Sequence, residues 1–369
     1  MTTAGGDTRA ASGSRRDESP YDPLRTPYMV DENDFPLTGL LEEQVRFLLR
    51  YAVLAPSTHN SQPWRFFPFS EGVEIYADYA RRLPRVDPGN RELLMSIGAA
   101  IFTLRVAAER FGLDCRVTYN YSGDSERPLA VASFAPKGES VSRDGGLASL
   151  FRWIPRRHAN RNPFLASRIP ETLLRRIRGM AAGNQASLHL STDGKINQDV
   201  GDLVAASEKM LLADPAFRGD VAEWIRPNWT QKPDGIPGAA LGLHGIAAAM
   251  GAWTARTLDT GKRRAAADRS LCSDAPGLVV LQCEDTVPHW LECGELLQKL
   301  LLTLTAEDLH HSYFNMPVQV PDARLRLRAL LGLSSWPQIL LRIGFSLAVP
   351  AITPRRPLDE VVIERIVRR

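Results

Sequence analysis

The chain has 369 residues, of which 44% are hydrophobic and 24% are charged, a balance typical of a folded globular protein. The formal net charge of +3 is small for this length and the Arg residues are scattered, which excludes a broad nucleic-acid-binding surface. Four Cys residues form no CxxC pair and have no His at metal-ligand spacing, so neither a metal site nor a disulfide framework is expected.

The N-terminal segment, MTTAGGDTRAASGSRRDESPYDP, is rich in Gly, Ser, Thr and Arg and contains no apolar run. It therefore predicts a disordered tail over residues 1–25 and not a signal peptide. No stretch reaches the roughly 18 to 20 apolar residues that a membrane-spanning helix needs. We expect a cytoplasmic protein with reduced Cys residues and with neither a membrane nor a nucleic acid as its partner.

The run LLRYAVL predicts the end of a helix, and APSTHNSQPW, residues 55–64, follows it directly. Pro, Ser, Thr and Asn favour a turn that presents backbone N–H and side-chain groups, and WRFFPF then predicts a strand. Helix capping explains part of this composition, since Ser, Thr and Asn are common caps. A flat heteroaromatic ligand would also use such donors and acceptors, so these residues alone leave both interpretations open.

Two long helices are predicted, at 91–113 and at 290–309, and each has one strongly apolar face. When Gly98 is aligned with Gly294, the apolar positions of the two helices stay in phase, and small residues here let another backbone come close. Strand-like segments lie near both helices: VEIYAD (73–78), PLAVASF (128–134) and GLVVLQC (277–283). The pattern predicts a duplicated α+β unit.

The duplication divides the chain into halves at about 36–150 and 151–369. Residues 200–265 have no counterpart in the first half, and they include EWIRPNWTQKPDGIPGAALGLHG. The Pro, Gly and Trp content of this string predicts that residues 200–265 form a long ordered loop. Such an insertion is either a lid over a site or a surface feature with no role, and both alternatives stay open at this point.

Three fragments resemble those of the nitroreductase family, which are FMN-dependent NAD(P)H oxidoreductases with an α+β fold. A helix followed by APSxxNxQPW resembles the family's flavin-contacting loop. RRHANRNPF, residues 156–164, resembles the family's R-x-S-x-R/K signature, whose basic residues hold the ribityl phosphate and the pyrimidine edge of the ring. TPRRPLDEVV, residues 353–362, resembles the C-terminal ending that closes on the phosphate.

The order of the fragments is similar to that of one branch of the family. In ordinary members the basic signature opens each subunit, and two subunits build two flavin sites at their interface. Here the loop lies in the first half and both basic signatures lie in the second. A fused, degenerate pair with one retained flavin site explains this order, as in the Acg-like branch, whose members are tandem halves with a lid over FMN. This resemblance implies an antiparallel-dominated sheet in each half and a monomer with an internal pseudo-dimer.

The resemblance also implies roles for the basic residues. Arg157, Arg355 and Arg356 would hold the FMN phosphate, because planar guanidinium groups bind phosphate bidentately. Arg161 would lie at the N1–C2=O edge, where negative charge accumulates when the flavin accepts a hydride. His158 and Asn160 would add donors towards the ribityl chain or the ring.

Residues of the first half would line the other edge of the ring, near N5, O4 and the dimethylbenzene side. They are Pro56, Ser57, Thr58, Asn60 and Gln62. Ala159 stands where the family usually has Ser, so one hydroxyl contact is missing. Further candidates are Asp268 and Arg269 towards the pyrimidine ring and the backbone of residues 316–319 towards N5. No protein side chain is expected to act as an acid or base, because the flavin carries the chemistry.

The resemblance implies ping-pong hydride transfer, in which NAD(P)H reduces FMN at N5 and a small nitroaromatic or quinone then takes its place. An alternative is a non-catalytic protein that sequesters FMN beneath a closed lid, with Trp224, Trp229 or the Gly-rich stretch covering the isoalloxazine ring. A third hypothesis keeps the fold without a flavin, as a structural or stress-response partner.

Overall fold

A computed structural model of the protein describes residues 22–120, 127–136, 145–180 and 185–364. Most of the expected N-terminal tail therefore lies outside the described residues. Residues 22–25 form a turn, in which the backbone N–H groups of Arg25 and Thr26 donate to Asp22 O at 3.1 and 2.9 Å. Within the described ranges, no helix combines the length and the apolar character needed to cross a lipid bilayer.

Among its described residues, the first half contains two α-helices and four strands: α1 (Leu41–Ala52), β1 (Trp64–Phe69), β2 (Gly72–Ala77), α2 (Arg91–Arg110), β3 (Leu113–Tyr119) and β4 (Ala130–Pro136). The strands form an antiparallel sheet in the order β1-β2-β4-β3. In β1 the side chains of Trp64 and Phe66 are fully buried, while Arg65 between them is exposed. This two-residue period is that of a strand with one covered face, which here packs on α1 and α2.

The second half contains ten helices and six strands among its described residues: α3 (Glu171–Gly179), β5 (Ser187–Ser191), α4 (Gly194–Ala213), α5 (Pro215–Ala222), β6 (Ile225–Arg226), β7 (Ile236–Pro237), α6 (Gly245–Ala249), α7 (Gly251–Thr257), α8 (Gly261–Ser273), β8 (Gly277–Cys283), α9 (Val287–Ala306), β9 (His310–Tyr313), α10 (Met316–Gln319), α11 (Pro321–Leu330), β10 (Trp336–Gly344) and α12 (Leu358–Val361). Its main sheet is antiparallel, in the order β5-β8-β10-β9. Every residue of β8 is buried, because helices cover both faces of this sheet. The predicted α+β class, with an antiparallel sheet in each half, is confirmed.

Helices α2 and α9 pack directly against each other and join the two halves. Gly98 lies against the backbone of Leu291, and Gly294 lies against the backbone of Met95, so a Cβ atom at either glycine would collide with a carbonyl oxygen. This reciprocal contact involves the two glycines that the sequence alignment equates, and it confirms that small residues let two backbones approach there.

The prediction of a long loop at 200–265 is wrong for most of that range. Helices α4, α5, α6, α7 and α8 occupy it, and α4 packs along α8. Only residues 223–244 lack a long element, and they contain the two-residue parallel strands β6 and β7. The Pro- and Gly-rich string covers this middle part alone, whereas the flanking sequence is rich in Ala, Leu and Arg, which favour helices. We call residues 200–265 the insertion.

After β10 the chain returns to the first half. The backbone N–H of Ile363 donates to Phe66 O at 2.8 Å, and Val362 forms a parallel bridge with Phe66. Further upstream, the backbone N–H of Arg355 donates to Pro23 O at 2.9 Å. The predicted boundary near residue 150 therefore separates the two sheets, while the C-terminal segment lies against the other half.

Candidate functional site

A cavity of about 260 Å³ is bounded by residues of both halves and of the insertion. Most of the sequence-predicted site residues line it: Pro56, Ser57, Thr58, Asn60, Arg157, His158, Arg161 and Arg355. Three others, Gln62, Asn160 and Arg356, do not. In the described part of the chain, no group of three His, Cys, Asp or Glu side chains could hold a metal ion.

The loop after α1 has an uncommon backbone conformation. His59, Asn60 and Gln62 have positive φ angles of 50°, 56° and 53°. Each left-handed residue costs about 1 kcal/mol, so a run of them persists only where surrounding contacts fix it. One such contact is the hydrogen bond from the backbone N–H of Gln62 to Ser57 Oγ at 2.9 Å. With the backbone held in this conformation, residues 56–60 line the cavity.

Asn60 ties this loop to two distant segments. Its Nδ2 donates to Gly235 O at 2.9 Å, in the insertion, and to Pro354 O at 2.8 Å, in the C-terminal segment. Its Oδ1 accepts a hydrogen bond from Arg355 at 2.9 Å. The amide is therefore largely committed to the protein, although the residue borders the cavity.

Gln62 and Arg356 fasten the wall of the site and do not face the cavity, which corrects the contacts expected of them. Gln62 Nε2 donates to Pro233 O at 2.7 Å, and its Oε1 accepts from the backbone N–H of Arg356 at 2.8 Å. The Arg356 guanidinium lies 3.7 Å from Asp78 and 3.3 Å from Glu360. With its charge paired in this way, Arg356 is not available to a phosphate in the cavity.

Asn160 is also buried outside the cavity, contrary to the expected contact with the ligand. Its Nδ2 donates to Ala348 O at 2.9 Å, and its Oδ1 accepts from the backbone N–H of Asn162 at 3.1 Å. Its own backbone N–H donates to His311 O at 2.8 Å. Asn160 thus anchors the basic loop to β9, and its neighbours on either side reach the cavity.

One end of the cavity is basic, and we define the basic end as Arg157, His158 and Arg355. Both guanidinium groups are buried and donate to the same carbonyl, Leu54 O, at 3.3 Å. Burial and the charge of Arg355 lower the pKa of Arg157 to about 10, although Tyr313 opposes this shift. Arg157 therefore remains a cation at neutral pH. Burial and the two Arg charges lower the pKa of His158 to about 3, so its imidazole is neutral.

Arg161 places a third cation at the cavity. Its NH1 donates to Ala240 O at 3.1 Å, in the insertion. Protein surrounds the side chain on most sides, yet the side chain remains accessible because it faces the cavity. Burial and the nearby charge of Arg264 lower its pKa.

Curated relatives cover most of the chain. An uncharacterised protein of Mycobacterium tuberculosis, Rv3127, is 28% identical over 85% of this chain and 92% of its own length. The acg protein of the same organism, provisionally named an NAD(P)H nitroreductase, is 25% identical over 88% of this chain and 97% of its own. PigM of Serratia sp., with a similar provisional name, is 21% identical over 87% of this chain and 93% of its own.

The predicted resemblance to the Acg-like nitroreductases is confirmed.

No protein-family model matches the chain. Among solved structures, the FMN- and NADPH-dependent nitroreductase NfnB from Sphigopyxis sp. has 21% identity and a TM-score of 0.41, with 58% of this chain and 98% of that chain covered. NfnB from Mycobacterium smegmatis, solved with NADPH, has 18% identity and a TM-score of 0.38, with 60% of this chain covered.

The three fragments that carry the Acg-like resemblance meet at the cavity, and a fourth group that the sequence did not reveal joins them. Glu92, on α2, is buried. Its carboxylate accepts one hydrogen bond from Thr58 Oγ1 at 2.8 Å and another from Gln319 Nε2 at 2.9 Å. Arg91 NH2 lies 3.6 Å from the same carboxylate. The signal that could have found Glu92 is its position on the apolar face of an otherwise buried helix. Met316 and Gln319 line the cavity too, in the segment proposed from the sequence.

The insertion supplies one side of the cavity, which we call the insertion wall. Its apolar lining consists of Leu211, Leu212, Phe217, Val221, Ile225, Ile236 and Leu241. Neither of the two tryptophans that the sequestration hypothesis places over a ring lines the cavity. Trp229 is 66% exposed, and Trp224 lies between the guanidinium groups of Arg81 and Arg226, at 6.0 and 5.9 Å from its ring centre.

Proposed function

We propose that the cavity binds FMN and that the protein transfers hydride from NAD(P)H to a small acceptor of the nitroaromatic or quinone type. The observation that carries the proposal is the burial of Arg157 and Arg355 at the basic end. Burying a charge is costly unless an opposite charge or strong acceptor compensates it. Arg157 forms no ion pair with any described residue, and its Nε has no hydrogen-bond partner among them.

A phosphate dianion fits this basic end in charge. Arg157 and Arg355 lie side by side, since both donate to Leu54 O, and planar guanidinium groups are well suited to phosphate. The neutral imidazole of His158 lies beside them and is hydrogen-bonded to the backbone of Pro155. The names of the acg and PigM relatives as NAD(P)H nitroreductases support the same class of reaction for this chain.

Arg161 is the residue that we assign to the pyrimidine edge of FMN. When bound, FMN would supply the redox chemistry by accepting hydride from the reduced nicotinamide and passing it to the acceptor. A fixed cation stabilises the negative charge of the reduced ring and so favours reduction. The hydrogen bond from Arg161 to Ala240 O couples this cation to the insertion.

The insertion wall would exclude water from the reacting atoms. Its aliphatic side chains and Phe217 offer no hydrogen bond to water, and they line the cavity together with the polar loop at residues 56–60. An apolar wall also suits the flat rings of a nicotinamide, a nitroaromatic or a quinone. Binding and orientation are thus the contributions that these side chains make.

The test is an absorbance spectrum of the purified protein, followed by anaerobic addition of NADPH or NADH. The proposal expects flavin bands that bleach on addition and return when a quinone or a nitroaromatic is supplied. A colourless protein that takes up no added FMN contradicts the assignment of the basic end.

A second candidate function is the sequestration of FMN beneath an insertion that stays closed. Hydrogen bonds that fasten the insertion at three consecutive residues favour this candidate. Pro233 O accepts from Gln62, the Asp234 carboxylate accepts from Arg81, and Gly235 O accepts from Asn60. In this case the flavin bands persist after NADPH is added, and Asp234→Ala gains NAD(P)H oxidation because it loosens the insertion. If the loosened variant also fails to oxidise NAD(P)H, closure is not the cause.

We infer that the active species is a monomer. The reciprocal packing of α2 on α9 is internal to the chain, so both halves of the site come from one polypeptide. Light scattering coupled to gel filtration is expected to give the mass of a single chain, and a dimer that dissociates with loss of flavin would contradict this.

A further inference from the structure

The insertion wall carries one acidic side chain that the proposed reaction has not used. Glu208, on α4, lines the cavity and is only 3% exposed. Its Oε1 lies 3.2 Å from Arg264 Nε, on the adjacent helix α8. Its Oε2 is buried beside Asp268, and the side-chain hydrogen bond between the two carboxyl groups lies outside ordinary geometry. A buried, incompletely paired carboxyl group that borders a ligand cavity is unusual enough to suggest a role.

The surroundings of Glu208 favour its protonated form. Burial and the negative charge of Asp268 raise its pKa to about 8, against the opposing effect of Arg264. Arg161 and His59 also line the cavity, and Arg161 and Arg264 are the charges that act on His59. The imidazole of His59 is neutral, because burial and those two cations lower its pKa to about 4. Glu208 is therefore largely a neutral acid at neutral pH.

We propose that Glu208 is the proton donor to the electron acceptor, an inference that rests on the proposed function. For a quinone, hydride arrives at one carbonyl oxygen from the reduced cofactor and brings both electrons. The Glu208 O–H bond breaks as an O–H bond forms on the other oxygen, and the product is the neutral hydroquinone. The Glu208 carboxylate that remains is paired with Arg264 and regains a proton from solvent.

Other acids at the cavity suit this role less well. Tyr313 also lines the cavity, and burial raises the pKa of its hydroxyl group to about 12, so it is a far weaker donor. Glu92 accepts hydrogen bonds from Thr58 and Gln319 with both oxygens, which fits a carboxylate. A general acid is most effective when its pKa is close to the working pH, and Glu208 meets this condition.

The test separates proton transfer from electron transfer in the FMN-loaded protein after reduction with dithionite. Re-oxidation by benzoquinone needs a proton, whereas re-oxidation by ferricyanide removes electrons only. In Glu208→Gln, which is neutral and of the same size, benzoquinone is expected to react about 100-fold more slowly and ferricyanide at the wild-type rate. Glu208→Asp is expected to recover part of the loss, and Asp202→Asn, an exposed site on the same helix, serves as the matched control.

A second readout requires neither flavin nor turnover. Because the pKa of Glu208 is raised from its usual 4.5, the folded protein holds a proton that the unfolded chain releases, and this group destabilises the fold as pH rises towards about 8. The melting temperature of the wild type is therefore expected to fall relative to that of Glu208→Gln across this interval. Equal pH dependence of the two proteins would show that Glu208 is ionised and would overturn the proposal.

The two proposals fail in different ways. A chain that takes up no FMN refutes the proposed function and this inference together. A flavin that dithionite reduces but NAD(P)H does not refutes only the proposed hydride donor, since re-oxidation can still be measured. Benzoquinone rates that are equal in the wild type and in Glu208→Gln refute the proton donor and leave the oxidoreductase assignment intact.

Discussion

The basic end of the cavity and the insertion wall differ in how the chain holds them. At the basic end, Arg157 and Arg355 are buried and donate to backbone carbonyl groups, so their positions follow from the rigid core around α1. The insertion wall consists mainly of aliphatic side chains on α4, α5 and the short strands β6 and β7, and hydrogen bonds fasten the segment between these strands at residues 233–235. The first arrangement suits a ligand that stays bound, and the second suits ligands that exchange.

The largest expected effect concerns the basic end. Arg157→Gln removes a buried cation that we assign to the phosphate, and it should weaken FMN binding about 100-fold, or roughly 3 kcal/mol. Fluorescence titration of the apoprotein with FMN measures the change. Arg156→Gln is the matched control, since Arg156 is exposed and stacks on Trp153 at 5.3 Å. Equal losses in both variants would argue against a specific contact.

The next effect breaks the helix contact that joins the two halves. Gly98→Ala places a methyl group against the Leu291 carbonyl and should lower the free energy of unfolding by about 2 kcal/mol. Gly219→Ala, in α5, meets no atom within 4 Å and should raise that free energy by up to about 1 kcal/mol. Urea denaturation checks both, and the same sign in the two variants would contradict the packing argument.

A smaller effect concerns the fastening of the insertion. Burial acts to raise the pKa of Asp234, but hydrogen bonds from Arg226 and Arg81 outweigh it and lower that pKa from its usual value of 3.8. The stabilisation that this carboxylate provides is therefore complete above pH 3.8 and is lost as the pH falls through the lowered pKa. Asp234→Asn should destabilise closure by about 1.5 kcal/mol at neutral pH.

Hydrogen exchange of residues 223–244 measures this opening. Faster exchange is expected there in Asp234→Asn, while Asp202→Asn, at an exposed ion pair of α4, should match the wild type. Unchanged exchange in Asp234→Asn would show that the other hydrogen bonds suffice, and the fastening would then not depend on this carboxylate.

The smallest effect distinguishes the lining of the insertion wall from its outer surface. Phe217→Ala, at a residue that lines the cavity and is 7% exposed, should raise KM for an aromatic acceptor about 5-fold, or roughly 1 kcal/mol. Trp229→Ala should leave KM within about 2-fold, because Trp229 is exposed outside the cavity. A larger effect at Trp229 would mean that the insertion closes in a different position.

The sequence predicted the parts of the molecule that depend on local patterns. The existence of strand β1, the apolar faces of α2 and α9, and the close approach at Gly98 and Gly294 all follow from spacing and residue type. The fragments at 55–64, 156–164 and 353–362 likewise indicated which segments would meet at the cavity.

Side-chain direction could not be predicted in the same way. Asn160 and Arg161 are adjacent, yet Asn160 is buried against β9 and Ala348 while Arg161 faces the cavity, because tertiary contacts decide the direction of each side chain. Glu208 and Arg264 are joined by the packing of α4 on α8, two helices that the sequence reading had assigned to a loop. Their pairing depends on an element that composition alone did not reveal.

The hydrogen bond between Asn60 and Arg355 has a consequence for how the protein is made. These residues are 295 positions apart, so at a translation rate of roughly 5 to 20 residues per second the loop waits about 15 to 60 s for its partner to be synthesised. During that time the first sheet has left the ribosome while the basic end has no second arginine. Completion of the basic end is therefore a late step in biogenesis, and a nascent chain that stalls before residue 355 lacks this hydrogen bond.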